Sequence, residues 1–333
     1  MSLAAAMTLG FKPGSFYRNA RLHCINLLLT YKSGCAASCS YCGLSKEDRS
    51  TEGKGTFIRV AWPNYHIEDI TRRITAKKEQ VKRICISMIT NKRAVQDTKD
   101  ICRHLRQTND IPVSLLVAPT VLQYEDLIDF KQAGADKIGV AVDLATRELF
   151  MKHRGGSKGR PHKWETYWQC LADAIRIFGK DMAGTHLMTG MGETEKEMSK
   201  ALQKARDMGG TNHLFSFFPE AYSEMARFPM PPIDQYRRIQ IARYVIDNGF
   251  SHERRFQYDR QDRIIDYGLA QYRLDEIIAT GEPFRTSGCT GKDGQVACNR
   301  PFGNSRPGPD IRNYPFPPKP DDIKRIRQQL AAR

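Results

Sequence analysis

Three cysteines, Cys35, Cys39 and Cys42, fall within the stretch Lys32-Ser33-Gly34-Cys35-Ala36-Ala37-Ser38-Cys39-Ser40-Tyr41-Cys42-Gly43. Thiolates are the usual ligands of iron–sulfur clusters, and a four-iron cube commonly takes four of them. Three thiols on a short loop hold three corners and leave one iron open to a small molecule, which makes a reactive site and not a structural staple. Zinc is the competing reading. Zinc sites usually show paired C-x2-C knuckles or a nearby His at similar spacing, and the nearest downstream histidine, His66, is remote.

A second pair, Cys289 and Cys298, sits nine apart in Arg285-Thr286-Ser287-Gly288-Cys289 and Ala297-Cys298-Asn299-Arg300-Pro301-Phe302. The tail around them is polar and turn-rich, so burial gives no reason for thiols there and they read as ligands. Two thiols make half a cluster site. Cys24, on a first strand whose alternation leaves its facing open, is the best third ligand, with Cys85 next. Cys102 and Cys170 fall on apolar helix faces and read as core residues.

The elements that must carry these groups follow a strand–helix rhythm. A buried-type strand runs from Leu22 to Leu29, and the cysteine loop follows at its carboxyl end. Periodicity then predicts helix 65–80, strand 82–89, helix 95–107, strand 112–117, helix 122–133, strand 137–142, helix 163–178, strand 184–188, helix 195–208, strand 213–218 and helix 233–248. Six βα units with parallel strands are implied. The expected fold class is α/β, a full or partial TIM-like (β/α) barrel with its chemistry at the strands' carboxyl ends. An open doubly wound sheet satisfies the same periodicity. Residues 1–20 read as a loosely structured lead, 21–250 as the barrel and 251–333 as a coil-rich extension ending in a helix over 321–331.

The C-x3-C-x2-C spacing, with an aromatic residue directly before the third cysteine, resembles the signature of the radical S-adenosylmethionine (SAM) superfamily. The resemblance implies that the open iron chelates the amino and carboxylate groups of SAM, and that reductive cleavage yields a 5′-deoxyadenosyl radical. It places Tyr41 near the adenine. The run His186-Leu187-Met188-Thr189-Gly190-Met191-Gly192-Glu193-Thr194 resembles the glycine-rich turn with which many members, biotin synthase among them, approach adenine, so Met188, Gly190 and Glu193 become candidate contacts. Asp143, ending the fourth strand, matches the position of a polar side chain on the ribose hydroxyls. Many members carry a G-G-E-like turn after the second strand for the amino group of SAM. This chain has Ser87-Met88-Ile89-Thr90-Asn91 there, so Ser87, Thr90 or nearby backbone must supply those atoms. By themselves the glycines and the aspartate are also ordinary turn and capping residues.

A radical SAM core followed by S-G-C…C-N-R-P-F resembles the biotin-synthase-related proteins that act as two-subunit lipoyl synthases, over residues about 20 to 307. That resemblance implies sulfur insertion into an octanoyl chain amide-linked to a lysine of a carrier protein or lipoyl domain. It implies two 4Fe–4S clusters, one cleaving SAM and one auxiliary cluster consumed as sulfur donor, together with a second radical SAM subunit and a reductant protein as partners. In this chain the tail motif is stretched by residues 290–296, and Ser287 or Ser305 stands as an oxygen ligand by analogy with classical lipoyl synthases.

Composition bounds the rest. The chain has 333 residues, 40% of them hydrophobic, enough for one large α/β domain plus an extension. No run of eighteen apolar residues occurs, so neither a membrane span nor a signal peptide is expected. Nine cysteines without a secretory signal argue for reduced thiols and a cytoplasmic setting. The formal charge of +15 favours anionic partners, whether nucleic acid, an acidic protein or a phosphorylated small molecule, without choosing among them; the lipoyl synthase resemblance gives it a use in steering an acidic carrier protein. No RNA-binding or helix-turn-helix signature accompanies it. Two other functions compete: a radical SAM enzyme of another type, such as a biotin synthase or a maturase acting on a free small molecule, and a non-enzymatic iron–sulfur or nucleic-acid-binding protein. A non-sulfur-transferring enzyme has no need for Cys289 and Cys298, a biotin synthase carries its auxiliary ligands on strands instead of in a C-terminal coil, and the non-enzymatic reading leaves the Gly190–Thr194 turn unexplained.

Overall fold

The computed structural model describes residues 1–44, 56–156, 159–303, 305 and 308–331. Helix α1 (Leu3–Thr8) is followed by β1 (Cys24–Leu28), then α2 (Ile67–Ala76), β2 (Arg83–Ser87), α3 (Ala94–Thr108), β3 (Val113–Val117), α4 (Tyr124–Gln132) and β4 (Ala135–Asp143). After two helices, α5 (Arg147–His153) and α6 (Trp164–Phe178), come β5 (Ala183–Thr189), α7 (Glu195–Asp207), β6 (Thr211–Ser216) and α8 (Ile233–Asp247). The six strands pair in parallel in the order of the chain. A doubly wound sheet would reverse its strand order at a switch point. The unbroken order instead winds one way, as a curled half-barrel with β1 and β6 at its edges.

Alternation along the strands explains what this sheet carries inside. Ile25 and Leu27, Ile84 and Ile86, Val113 and Leu115, and Val140 and Val142 are buried against the helices. Their sequence neighbours Cys24, Cys85, Ser114 and Gly139 therefore point the other way, into the barrel. Outside, Ile74, Cys102, Leu105, Phe130, Leu171 and Ala242 belong to the layer packed on those apolar faces. Cys102 and Cys170 both sit in this core, as expected from their helix faces.

Two stretches hold more regular structure than the sequence suggested. The lead contains α1, capped by the Ser2 hydroxyl accepting from Ala5 N, with Ala4, Ala5 and Ala6 buried. Its three alanines carry too little hydrophobicity to register as an apolar stripe, yet their small side chains allow close packing on the barrel. Beyond 250, a hairpin of β7 (Gln257–Tyr258) and β8 (Ile264–Asp266) precedes α9 (Gln271–Thr280), with α10 (Arg300–Gly303) and α11 (Pro320–Ala331) further on.

The tail between α9 and α11 runs across the open side of the half-barrel. At β6, Leu214 N donates to Ser287 Oγ at 2.8 Å, and the His213 ring bonds the Ser287 carbonyl. On the other side, Asn299 Nδ2 donates to Arg21 O at 2.6 Å, and Arg83 Nε to Thr290 O at 2.6 Å. One amide of the β6 edge that would face solvent in an open sheet, Leu214 N, is thus met by the tail. None of the helices formed by the described residues is long and apolar enough to cross a membrane.

Candidate active site

The loop after β1 brings Cys35, Cys39 and Cys42 to the carboxyl ends of the strands. It is pinned by Ala36 N donating to Thr90 O at 2.7 Å and Ser40 N to His153 O at 2.9 Å. The three thiols lie close enough to influence one another electrostatically. Burial pushes the Cys39 and Cys42 thiols up, and the Arg154 guanidinium opposes this at Cys39. Binding iron would therefore release protons from this loop.

Tyr41 and Asp143, widely separated in sequence, meet here. The Tyr41 hydroxyl donates to Asp143 Oδ2 at 2.6 Å, and Arg154 Nη1 donates to the same oxygen at 2.9 Å. Asp143 has a φ of 66°, in the left-handed region where Asp is one of the few residues tolerated. Two strong partners hold it there, a pattern typical of functional sites. Arg154 was not foreseen from the sequence, because nothing near residue 154 marks a cation destined for a loop more than a hundred positions earlier.

Of the other predicted SAM contacts, Met188 lines the cavity beside Tyr41, Cys42 and Asp143. Gly190 has a φ of 101°, and a Cβ there would stand 2.6 Å from the Pro231 ring. The Glu193 carboxylate accepts from Gly190 N and Met191 N at 2.8 and 2.9 Å, so it shapes this turn from within. Ser87 is buried, with Arg300 Nη1 3.4 Å from its hydroxyl.

The second cysteine set converges inside the barrel. Cys24 from β1 pairs with Cys298 of the tail, while Cys85 from β2 lies within electrostatic reach of both Cys298 and Cys289. The stretch 290–296, which lengthens the tail motif, loops out as a small hairpin: Ala297 N and Cys298 N both donate to Cys289 O, and Thr290 bridges Val296. The insertion therefore leaves the two cysteines side by side. Gly288 permits this approach, since a Cβ on it would lie 2.0 Å from the Cys298 carbonyl oxygen. Neither serine stands free as a ligand in this arrangement. Ser287 Oγ accepts from Leu214 N, and Ser305 Oγ binds Arg59 and the Pro301 carbonyl.

Burial and positive charge pull the thiols of this set in opposite directions, and Cys24, Cys85 and Cys289 are pushed up. In the Cys24–Cys298 pair, Cys298 is the group pushed down, by the hydrogen bond from Cys24 and then by the Arg300 charge. Burial raises Cys289 and Cys85, against the pull of Arg83 and Lys137 on the first and Arg300 on the second. Burial also keeps His186 and His213 neutral. A cavity of about 160 Å³ beside Cys42 and a chamber of about 20 Å³ beside Cys85, Cys289 and Cys298 share His186, Phe215 and Arg300 as a common wall. One layer of side chains separates the two cavities.

Beyond spacing, both sets carry positive charge that suits an anionic iron–sulfur cluster. Beside each lies a buried arginine, Arg154 or Arg300, whose Nε has no hydrogen-bond partner among the described residues. A buried guanidinium nitrogen without a partner is costly, and a thiolate-bound iron–sulfur group would supply an acceptor there. Among the described residues no three His, Cys, Asp or Glu side chains close on a single metal ion. A cube carrying one iron per thiolate spreads its ligands farther apart than one ion does. With about 20 Å³ enclosed, a cluster in the lower chamber would need the side chains lining it to stand farther apart.

Comparison with known proteins agrees with this geometry. The sequence profile of the Radical SAM superfamily matches residues 30–205, more than half of the chain. The fold is similar to that of methylornithine synthase, with 12% identity, a TM-score of 0.51 and coverage of 73% of this chain and 66% of that one. It is also similar to the FeFe-hydrogenase maturase HydG from Carboxydothermus hydrogenoformans, with 15% identity, a TM-score of 0.53 and coverage of 90% and 75%. No curated protein sequence gives a significant match.

Proposed function

The chain belongs to the radical SAM superfamily, and from that premise we propose that it is a lipoyl synthase subunit, inserting sulfur into an octanoyl chain held on a lysine of a carrier protein. Membership implies a 4Fe–4S cluster and SAM. The observation that carries the finer reading is the convergence of Cys24, Cys85, Cys289 and Cys298 beside a chamber that shares a wall with the cavity at Cys42. When bound, the upper cluster with SAM supplies hydrogen-atom abstraction, and an auxiliary cluster below supplies sulfide.

The residues of the chain divide the remaining work. Cys35, Cys39 and Cys42 hold the first cluster, and Arg154 balances charge at Cys39. Tyr41, Asp143, Met188 and the Gly190 turn form the adenosine side of the cavity, with Glu193 fixing that turn. Ser87 and Arg300 would serve the polar end of SAM. Phe215, His186 and Arg300 form the partition that an acyl carbon would have to reach from above to meet sulfide from below. The acidic carrier protein docks by the excess positive charge, and a second radical SAM subunit and a reductant protein complete the system in the reducing cytoplasm.

The test is anaerobic reconstitution, measurement of iron and sulfide per chain, then incubation with SAM, dithionite and an octanoyl-lysyl peptide, with products read by mass spectrometry. Two clusters' worth of iron, 5′-deoxyadenosine and sulfur-bearing peptide are expected. The Cys289→Ala, Cys298→Ala variant should keep 5′-deoxyadenosine formation, lose about one cluster of iron and form no carbon–sulfur bond. Full iron and unchanged product in that variant would transfer the chain to a one-cluster radical SAM class.

A further inference from the structure

Resting on the reading that the lower chamber holds a cluster, one side chain in it has no assigned task. His213 lies on β6 beside His186 of β5, with ring centroids 5.1 Å apart, and it is 9% exposed. Its Nδ1 bonds the Ser287 carbonyl, which can only accept, so the ring proton sits on Nδ1 and the lone pair on Nε2. Nε2 faces the chamber, 3.9 Å from Cys289 Sγ, the one partner it has among the described residues. A metal-ligating imidazole is typically oriented in this way, its far N–H given to a carbonyl that fixes both tautomer and ring plane.

We propose that His213 ligates the auxiliary cluster through Nε2, completing with Cys24, Cys289 and Cys298 a set of three thiolates and one imidazole. Cys85 is then a neighbour and not a ligand: its thiol faces the Ser114 hydroxyl and the Arg300 charge. The same tail residue that ties the hairpin to β6, Ser287, orients the ring, so seating of the tail and completion of the ligand set are one event. A neutral imidazole in place of a thiolate leaves the ligand set with one less negative charge, which raises the cluster's reduction potential as histidine ligation does in other iron–sulfur centres. It also gives one iron a ligand that dissociates without leaving a charge behind, suiting a cluster that is taken apart to release sulfide.

The test uses the full chain carrying Cys35→Ala, Cys39→Ala and Cys42→Ala, reconstituted with iron and sulfide so that only the auxiliary cluster remains. Pulsed electron paramagnetic resonance of the dithionite-reduced protein, prepared with natural and with 15N-labelled histidine, should show a strongly coupled nitrogen that follows the histidine label. His213→Asn should abolish that coupling. His213→Cys should abolish it too, while retaining the iron and lowering the reduction potential, and Cys85→Ala should retain both iron and coupling. A cluster without coupling to labelled nitrogen, or a coupling that survives His213→Cys, or loss of the cluster in Cys85→Ala with retention in His213→Asn, overturns the histidine ligand. If the triple-alanine chain binds no iron at all, the auxiliary cluster itself falls and the histidine ligand with it.

Discussion

Removing one hydroxyl, in Ser287→Ala, separates two roles that this residue could play. Its Oγ accepts the Leu214 amide at 2.8 Å, on the open edge of β6, where Leu214 is 2% exposed. Alanine supplies no acceptor, and the buried N–H cannot turn to water without the tail lifting away. Leaving such a group unsatisfied costs about 1–3 kcal/mol. Opening of β6 at this amide should therefore become roughly 5-fold to 150-fold more frequent. Hydrogen exchange followed by mass spectrometry, on peptides spanning 209–218 in the anaerobically prepared protein, reads this directly. Exchange should quicken there and in the tail, with strands β2 to β4 unchanged, and Ser287→Thr, which keeps the hydroxyl, should lie near the parent. Iron per chain after reconstitution with excess iron and sulfide should stay the same. Unchanged exchange in β6 combined with a lost cluster would refute the reasoning and make Ser287 an oxygen ligand.

Three further outcomes are expected. Replacing Cys35, Cys39 and Cys42 together by Ala should eliminate 5′-deoxyadenosine formation while leaving the auxiliary iron, and undiminished SAM cleavage would sink the radical assignment. The Glu193 carboxyl is pushed up to about 7 by burial, which outweighs the amides of Gly190 and Met191; the folded chain holds this proton more tightly than the unfolded one, so the resulting stabilisation is complete below the ordinary value of 4.5 and lost as pH rises through about 7. Thermal unfolding of Glu193→Gln should thus fall less steeply over that window, a difference of up to ~3 kcal/mol, and parallel curves for the two proteins would show that the group does not titrate there. Raising salt should weaken a complex with an acidic octanoylated carrier far more than binding of an octanoyl-lysyl peptide, because screening acts on extended charged surfaces; equal sensitivity would remove electrostatic docking.

What the sequence disclosed was whatever is written locally. The loop Cys35–Cys42 is a ligand set on one short segment, and its spacing states its chemistry without reference to the rest of the chain. The six strands were legible because inward polar and outward apolar positions alternate around runs such as Ile84-Cys85-Ile86, buried in the structure on both faces. The lower chamber was only half legible. Cys289 and Cys298 stood out against a polar tail, but the hairpin that aligns them depends on Gly288 and on bonds at Cys289 O, which no periodicity announces. His213 and Arg154 were missed for a related reason: each acquires meaning only from a residue far along the chain, Ser287 for one and Cys39 for the other. The one available signal for the histidines was their shared register, His186 opposite His213 on neighbouring strands.

The pairing of Cys24 with Cys298 joins the first strand of the half-barrel to a segment that lies beyond all six strands in the chain. Domains generally condense from the amino end as they are synthesised, so the strands and the loop of Cys35, Cys39 and Cys42 are translated before the tail that covers them. The two cysteine sets accordingly come together at different times, the upper one ahead of the lower. Until the tail arrives, Cys24 and Cys85 line an uncovered groove. A nascent chain stalled before residue 285 would carry the upper loop and no lower chamber.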